Sequence, residues 1–235
     1  MSIFALIPAA GSGTRAPGDR PKQYAVLAGQ PMLWHAVRAL CVPPIEKVFV
    51  VLAPEDSHFA ALDWTAFGED LEPLWCGGPS RRESVYNGLV ASRDGWNADD
   101  WMLVHDAARP CLPAQDLQAL IAECSADQIG GILALPVAET VKKAAKDESG
   151  RHRILSTQDR AQLWLAQTPQ MFRAGLLVQA LQRSRGVVTD EASALEQMGL
   201  KPRLVAGSRE NIKVTWPEDF AMAESILAMR AEADG

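Results

Sequence analysis

Residues 6–24, LIPAAGSGTRAPGDRPKQY, constrain this chain more than any other part of its sequence. An apolar run that ends at Pro8 is typical of a short buried strand. Small residues then occupy positions 9–13, and only side chains without bulk let a polyanion lie against main-chain N–H groups. Arg15 and Lys22 follow as two cations suited to neutralise a phosphate chain. The segment predicts a phosphate-binding loop, the alternative being a strand-to-helix turn with solvated charges.

Two better-known nucleotide-binding loops do not fit these residues. The spacing Gly11-x-Gly13-x-x-Ala16 satisfies the dinucleotide fingerprint, but prolines at positions 17 and 21 crowd the place where its helix must run. The fingerprint also needs an acidic residue about 20 positions on, and residues 30–35 contain none. A Walker loop ends in Gly-Lys-Ser/Thr, where this loop has Pro-Lys-Gln. These departures speak against a nicotinamide-dependent oxidoreductase.

Composition limits the classes of function further. The 235 residues, 48% hydrophobic and 22% charged, suit one large α/β domain or two small ones. A formal charge of −6 without a basic tract argues against a nucleic-acid partner. The four cysteines form no C-x-x-C pair and the four histidines share no metal-ligand spacing. With neither a signal peptide nor an apolar run of membrane length, we expect a cytoplasmic enzyme without a membrane partner.

The hydrophobic pattern alternates between strands and helices. Strands are predicted at residues 3–7, 48–52, 74–76, 101–104, 131–135 and 212–214, and helices at residues 31–40, 82–92, 116–124, 192–198 and 220–229, with a helix and loop at 56–71. This order predicts an α/β fold with an open, mostly parallel sheet and helices on both faces. The polar segment 142–153, between plausible strands at 134–141 and 154–155, is either a disordered loop or a projecting hairpin.

Four short motifs supply candidates for chemistry. Asp106, just past a buried strand, is placed to hold Mg²⁺ against phosphate oxygens, although a turn or cap role is commoner for such a residue. Gly77-Gly78-x-x-Arg81-x-x-Ser84 ends one strand and opens a helix. Thr189-Asp190-Glu191 precedes a predicted helix, and without further context its favoured role is that of a helix N-cap. Lys213, flanked by apolar residues, lies at a sheet edge or faces a polar site.

These motifs, taken in order, resemble the 2-C-methyl-D-erythritol 4-phosphate cytidylyltransferase family over nearly the whole chain. The resemblance rests on PAAGSGTR with PKQY, GGxSRRxSV, VHDAARP, PVAETVK, DRxxLWLAQTPQ, TDEASALE and NIKVTxPED. It implies a Rossmann-like sheet of the nucleotidyltransferase type, as a single cytidylyltransferase domain over residues 1–235. It also implies a β-arm at about residues 137–158, inserted for dimerisation, and no fused cyclodiphosphate synthase domain. The expected reaction transfers a cytidylyl group from CTP to 2-C-methyl-D-erythritol 4-phosphate, a step of non-mevalonate isoprenoid biosynthesis that releases pyrophosphate.

The resemblance also implies roles for individual residues. Arg15 and Lys22 would stabilise the transition state, and Arg160 and Lys213 would position the attacking phosphate. The CTP site would comprise Pro8, Ala9, Ala10, Gly11, Ser12, Gly13, Gly78, Ser84, Asp106 and Ala107. The acceptor site would comprise Asp106, Arg109, Thr140, Arg160, Thr168, Thr189 and Lys213. Asp106 would face Mg²⁺, the expected cofactor, and the expected partners are CTP, a sugar-alcohol phosphate and a second copy of the chain.

Two further functions remain as alternatives. A ribitol-5-phosphate cytidylyltransferase would share the fold and the donor, although the residues around Arg160 and Thr168 favour methylerythritol phosphate. A non-catalytic nucleotide-binding module would be expected to lack at least one of Arg15, Lys22 and Lys213, and all three are present.

Overall fold

The computed structural model describes residues 1–11 and 20–233. Within them the strands are β1 (Ile3–Pro8), β2 (Val26–Leu27), β3 (Gln30–Pro31), β4 (Ile45–Val51), β5 (Leu71–Leu74), β6 (Trp101–Val104), β7 (Gly130–Pro136), β8 (Val141–Lys146), β9 (His152–Gln158), β10 (Trp164–Arg173) and β11 (Arg203–Ala206). The α-helices are α1 (Met32–Leu40), α2 (Arg81–Ala91), α3 (Ala114–Ser125), α4 (Ala174–Arg183), α5 (Glu191–Glu196) and α6 (Pro217–Ala233). None of the helices in these two ranges is both long and apolar enough to cross a membrane.

The central sheet has the strand order β11-β7-β10-β6-β1-β4-β5. Its neighbours pair in parallel except for β10, which is antiparallel to both β6 and β7. Strand β1 alternates its side chains between two cores: Ile3, Ala5 and Ile7 pack with α1 and α3, while Phe4 and Leu6 pack with α2, α4 and α5. The structure therefore confirms the predicted mostly parallel α/β sheet with helices on both faces.

Helix α2 lies unusually close to the sheet. A Cβ at Gly88 would fall 2.4 Å from a Val51 methyl and 2.8 Å from a Leu6 methyl, so only glycine allows this approach. The Ser80 side chain caps the helix by accepting from the Glu83 N–H. Close packing and the cap together fix the first turn of α2, with Arg81, at the carboxyl edge of the sheet.

Several local predictions were wrong. Residues 56–71 form two 3₁₀ helices (Phe59–Ala61 and Thr65–Asp70), and Gly68, at φ 52°, interrupts the second. Strand β5 ends at Leu74 instead of continuing to Cys76, because the Cys76 N–H turns back to the Leu74 carbonyl.

The expected strand at residues 212–214 is a loop. The Ile212 N–H turns back to the carbonyl of Glu210, and the Val214 N–H donates to the carbonyl of Ala108 instead of to a sheet partner. Strand β10 and helix α4 were not predicted at all. Helix α5 begins at Glu191 with Asp190 as its N-cap, as the cap interpretation predicted, but it ends at Glu196, two residues before the predicted end. Gly199, at φ 79°, lies in the turn that follows.

The polar segment is a hairpin and not a disordered loop. Strand β7 ends at Pro136, short of the predicted 141, and β8 then pairs with β9 in an antiparallel ladder from Val141–Gln158 to Lys146–His152. The two strands form a sheet separate from the central one, and most of their residues are exposed. The role of this hairpin in dimerisation stays a prediction.

Candidate active site

A cavity of about 180 Å³ opens where the neighbouring parallel strands β1 and β6 end. Its lining residues are Pro8, Ala9, Gly11, Lys22, Gln23, Met32, Arg81, Asp106, Ala107, Ala108 and Lys213. Ligands of open α/β sheets lie at this edge, outside the carboxyl ends of the strands. The structure thus brings together seven of the residues that the sequence singled out: Pro8, Ala9, Gly11, Lys22, Asp106, Ala107 and Lys213.

The start of the glycine-rich loop forms one wall of the cavity. The Ala9 N–H donates to the carbonyl of Val51 (2.8 Å), which ties the loop to the end of β4. A Cβ at Gly77 would fall 2.2 Å from the Cβ of Ala10, so the glycine pair after β5 lies directly against this loop. Ser12, Gly13 and Arg15 lie outside the described residues.

Lys22 follows the glycine-rich loop in the sequence and also lines the cavity. It begins a short 3₁₀ helix, Lys22–Tyr24, and its Nζ contacts the carbonyl oxygen of Val214. The next side chain, the buried Gln23, donates from Nε2 to the carbonyl of Ala9 (2.7 Å). This bond joins the two ends of the loop and holds Lys22 beside the small residues.

Asp106 is the electrostatic centre of the cavity. Its Oδ1 accepts from Arg81 Nε at 2.9 Å, and its Oδ2 lies 2.8 Å from Lys213 Nζ and 3.9 Å from Arg109 Nε. Burial by itself would raise the pKa of this carboxyl, but the charges of Arg81 and Lys213 outweigh that effect and hold the pKa well below its ordinary value. Asp106 is therefore an anion among three cations.

A buried hydrogen-bonded chain supports Asp106 from below. The Asp106 N–H donates to Thr168 Oγ1 (2.9 Å), and that hydroxyl lies 3.1 Å from His105 Nδ1. His105 Nε2 faces the carbonyl of Arg109 (3.0 Å), which can only accept, so the proton is on Nε2 and Nδ1 accepts from Thr168. Burial lowers the pKa of His105 to about 4, so the ring is neutral at pH 7.

Arg109 and Thr168 were expected to contact the acceptor, and the structure buries both of them under the cavity. Arg109 Nη1 donates to the carbonyl of Asn211 at 2.5 Å, and Asn211 Nδ2 donates to the carbonyl of Thr168 at 2.8 Å. Burial lowers the pKa of Arg109, and Asp106 partly offsets this. These contacts link the strand end that carries Asp106 to the loop that carries Lys213.

The other predicted residues lie around the rim or away from the cavity. Ser84 Oγ accepts from the Gly78 N–H (3.1 Å), which closes the turn between β5 and α2. Thr189 is exposed beside the first turn of α5, and its N–H donates to Ser193 Oγ (3.2 Å). Thr140 and Arg160 are exposed near the base of the hairpin, where Arg160 contacts the carbonyl of Ala138, and neither lines the cavity.

Sequence reasoning gave no role to three residues that shape the site. Gln23 lies within PKQY and Arg81 within GGxSRRxSV. Both motifs could be recognised in the sequence, but the contacts that these two side chains make could not. Glu191 was seen only as part of a helix start, whereas its carboxylate accepts from Arg81 Nη1 and Nη2 at 2.6 and 3.0 Å. The two residues of that ion pair are 110 positions apart, which no local pattern reveals.

Asp106 is the residue whose chemistry suits a divalent metal. The described ranges contain no group of three or more His, Cys, Asp or Glu side chains that could hold an ion by themselves. Mg²⁺ commonly takes only one or two protein carboxylates and completes its shell with water and substrate phosphates. The donor set therefore fits a metal held mainly by a nucleotide triphosphate, with Asp106 as a single anchor.

Comparisons with known proteins match almost the entire chain to one family. The model of the family described as IspD, 2-C-methyl-D-erythritol 4-phosphate cytidylyltransferase, matches residues 3–229. A protein of that name from Dechloromonas aromatica (strain RCB) is 52% identical over 228 residues, covering 97% of this chain and 98% of the relative.

Two solved structures share the fold. A crystal structure of a 4-diphosphocytidyl-2C-methyl-D-erythritol synthase superposes with a TM-score of 0.83 at 40% identity, covering 96% of this chain and 98% of the other. The 2-C-methyl-D-erythritol 4-phosphate cytidylyltransferase of Francisella tularensis gives a TM-score of 0.78 at 34% identity, covering 96% of this chain and all of the other (100%). The chain belongs to the 2-C-methyl-D-erythritol 4-phosphate cytidylyltransferase family.

Proposed function

We propose that this chain transfers the cytidylyl group of CTP to 2-C-methyl-D-erythritol 4-phosphate, giving 4-diphosphocytidyl-2-C-methyl-D-erythritol and pyrophosphate. Family membership over residues 3–229 supports the reaction. The observation that carries it at the site is one cavity, walled by Ala9 and Gly11 and lined by Lys22, in which Arg81 and Lys213 face a single buried carboxylate. A cavity with small walls and several cations suits a triphosphate and a second phosphate together.

The reaction needs no nucleophile from the protein. An oxygen of the acceptor's phosphate attacks the α-phosphorus of CTP in line, the bond to the β-phosphate oxygen breaks, and pyrophosphate leaves with the electron pair. Charge grows on the equatorial oxygens and on the leaving group, so positioning and fixed cations account for the catalysis. Lys22 supplies one such cation beside the loop wall, and Arg15 is proposed as the second on the strength of the family resemblance.

Lys213 is proposed to hold the acceptor's phosphate. Its side chain is about half exposed (49%), so the ammonium, which lies 2.8 Å from Asp106 Oδ2, can also reach an incoming phosphate. Arg160 is proposed to share this task and Thr140 and Thr189 to contact the acceptor, with Arg109 and Thr168 acting from beneath. These roles rest on the family resemblance, and the exposure of Arg160, Thr140 and Thr189 is compatible with them.

Mg²⁺ is proposed as the cofactor, with Asp106 as its protein ligand. When bound, the metal neutralises phosphate charge and makes the pyrophosphate a better leaving group. The chain's part is to keep Asp106 ionised and oriented, through the Arg81 ion pair at Oδ1 and the Thr168 contact at its main-chain N–H.

A homodimer is proposed through the hairpin β8–β9 and the adjoining start of β10. Ile154 and Leu155 on β9 are 70% and 61% exposed, and Leu165 on β10 is 56% exposed. Large exposed apolar side chains that fall within one short segment of a chain suit a surface that a partner covers. We expect a dimer by light scattering, a shift toward monomer for Leu155→Ser, and no shift for Val187→Ser, an exposed residue (85%) outside the hairpin. A monomeric parent chain would overturn this proposal.

The cytoplasm is proposed as the compartment. The four cysteines, Cys41, Cys76, Cys111 and Cys124, are free thiols, which suits a reducing environment. The substrates of the proposed reaction are also charged metabolites that do not cross membranes unaided.

The direct test of the function is pyrophosphate release by the purified chain with CTP and Mg²⁺. One sample receives 2-C-methyl-D-erythritol 4-phosphate and a parallel sample receives ribitol 5-phosphate. Release with the first acceptor alone is the expected result. Release with ribitol 5-phosphate alone would move the chain to the alternative acceptor, and no release from folded chain that binds CTP would favour a non-catalytic binding module.

A further inference from the structure

The Arg81–Glu191 ion pair joins the start of α2 to the start of α5 immediately behind the cavity. Glu191 is only 1% exposed, and both of its carboxylate oxygens accept from Arg81, at 2.6 and 3.0 Å. Arg81 Nε donates in turn to Asp106 Oδ1 at 2.9 Å. Carboxylates thus engage three of the five N–H donors of this guanidinium. The planar fork of an arginine held on two sides cannot turn without breaking one of these contacts.

Glu191 is itself held by the sheet. Gln170 on β10 is 1% exposed, and its Nε2 donates to Asp190 Oδ2 at 2.9 Å. Its Oε1 accepts from the Ala192 N–H at 2.9 Å. One buried amide therefore fixes the chain on both sides of Glu191. The contacts run continuously from β10 through Glu191 and Arg81 to Asp106.

The charges around Asp106 indicate that the Arg81–Glu191 pair does more than join two helices. Arg81, Lys213 and Arg109 surround the single carboxylate of Asp106. A second buried carboxylate that accepts one N–H from each Nη group of Arg81 orients the guanidinium so that its Nε points at Asp106. Asp106 Oδ1 is then fixed in direction, while Oδ2 is held by Lys213, a half-exposed and more mobile partner.

We infer that Glu191 is a positioning residue for cytidylyl transfer, which acts through Arg81 to fix the orientation of the Asp106 carboxylate. Glu191 does not line the cavity, so it acts without touching the reacting atoms. This inference rests on the function proposed above. The competing interpretation is that the pair only ties α5 to α2. In that case the loss of one partner would lower the stability of the chain, as it does for many buried ion pairs, without a specific effect on kcat.

A double-mutant cycle separates the two interpretations. Glu191→Gln keeps the size of the side chain and removes its charge, and it is made both in the parent chain and in the Arg81→Ala variant. Values of kcat and of KM for the acceptor are measured by pyrophosphate release, with thermal unfolding of each variant alongside. If Glu191 acts through Arg81, we expect kcat to fall on the order of 10- to 100-fold in the parent chain. In the Arg81→Ala background we expect a change within about twofold, because the intermediary is already gone.

A conservative variant and a control complete the design. Glu191→Asp keeps the charge but is one methylene too short for both contacts, and we expect it to recover part of the activity that Glu191→Gln loses. It also replaces Glu191→Gln in the cycle if the latter does not fold. Glu123→Gln breaks a half-exposed ion pair with Arg203 (2.7 Å) far from the cavity, and it should retain the parent kcat.

The outcomes are distinct. Equal losses of kcat in the two backgrounds, or a folded Glu191→Gln chain with the parent kcat, would overturn the positioning role. An inactive parent chain would instead refute the proposed function, because the control and the parent would then fail together.

Discussion

Replacing Lys213 by alanine removes the cation that faces Asp106 across the cavity at 2.8 Å. Lys213 is proposed to exchange this carboxylate for the phosphate of the acceptor. We therefore expect kcat/KM for the acceptor to fall, with a much smaller effect on KM for CTP. Since Asp106 keeps its contact with Arg81, the fold should survive the substitution.

The size of the effect follows from the exposure of the side chain. A hydrogen bond to a charged group contributes about 1.5–3 kcal/mol. Lys213 is 49% exposed, so solvent screening places its contribution toward the lower part of that range. At about 1.4 kcal/mol for each factor of ten, kcat/KM should fall roughly 10- to 40-fold. The free energy of unfolding should change by less than about 1 kcal/mol, as for other partly exposed ion pairs.

The assay is initial-rate pyrophosphate release at saturating CTP with the acceptor varied. Lys47→Ala is the matched control, because Lys47 is also partly exposed (37%) and lies 3.2 Å from Glu72, away from the cavity. The control should leave kcat/KM unchanged. An unchanged acceptor saturation curve for Lys213→Ala would refute the role assigned to this lysine.

Three further predictions address the loop wall, the transition state and the buried support of Asp106. Lys22→Ala should lower kcat by about 10²–10³-fold, as for the loss of one transition-state donor, and near-normal turnover would contradict its role. Gly77→Ala should destabilise the chain by about 1–3 kcal/mol, because the new Cβ would lie 2.2 Å from that of Ala10, whereas Gly95→Ala meets only a Phe49 ring atom at 3.6 Å and should cost less in chemical denaturation. For His105, burial lowers the folded pKa to about 4 from an unfolded value of 6.5, so its contribution to stability is full above pH 6.5 and is lost as the pH falls toward 4. The free energy of unfolding is measured without substrate or metal at pH 6.5 and at pH 4. Its fall between these two pH values should be about 3 kcal/mol smaller for His105→Gln than for the parent chain, and an equal fall would refute this.

The sequence was most informative where one physical constraint acts locally. Strands β1 and β6 and the second half of β4 are short apolar runs, and such runs are buried on both faces of a parallel sheet. The glycine-rich loop and the acid after β6 follow strands of that sheet, so the rule for carboxyl edges placed them together in advance. Helix α5 could be located to within two residues from the capping pattern Thr189-Asp190-Glu191 at its start.

Strand β10 escaped prediction because its residues do not look like a strand. Buried polar side chains at Gln167, Thr168 and Gln170, with Pro169 among them, imitate a loop. They are tolerated because each side chain makes a hydrogen bond: Gln167 Nε2 donates to the carbonyl of Ser208, Thr168 binds Asp106, and Gln170 binds the start of α5. Polar residues that serve a site distort the very pattern by which strands are recognised.

Contacts between distant positions were beyond sequence reasoning for a different reason. Lys213 was expected on a strand, yet it lies on a loop that the Val214 N–H ties to Ala108. Its partner Asp106 is far away in sequence, as Glu191 is from Arg81. Only the folded chain shows which charges meet.

The most direct test of the account follows the acceptor's oxygens through the reaction. The chain is incubated with CTP, Mg²⁺ and 2-C-methyl-D-erythritol 4-phosphate that carries ¹⁸O in its non-bridging phosphate oxygens, and the products are analysed by mass spectrometry. If the acceptor's phosphate attacks the α-phosphorus, 4-diphosphocytidyl-2-C-methyl-D-erythritol should retain every labelled oxygen and the pyrophosphate should be unlabelled. Label in the pyrophosphate, or turnover of CTP without the diphosphate product, would contradict the account.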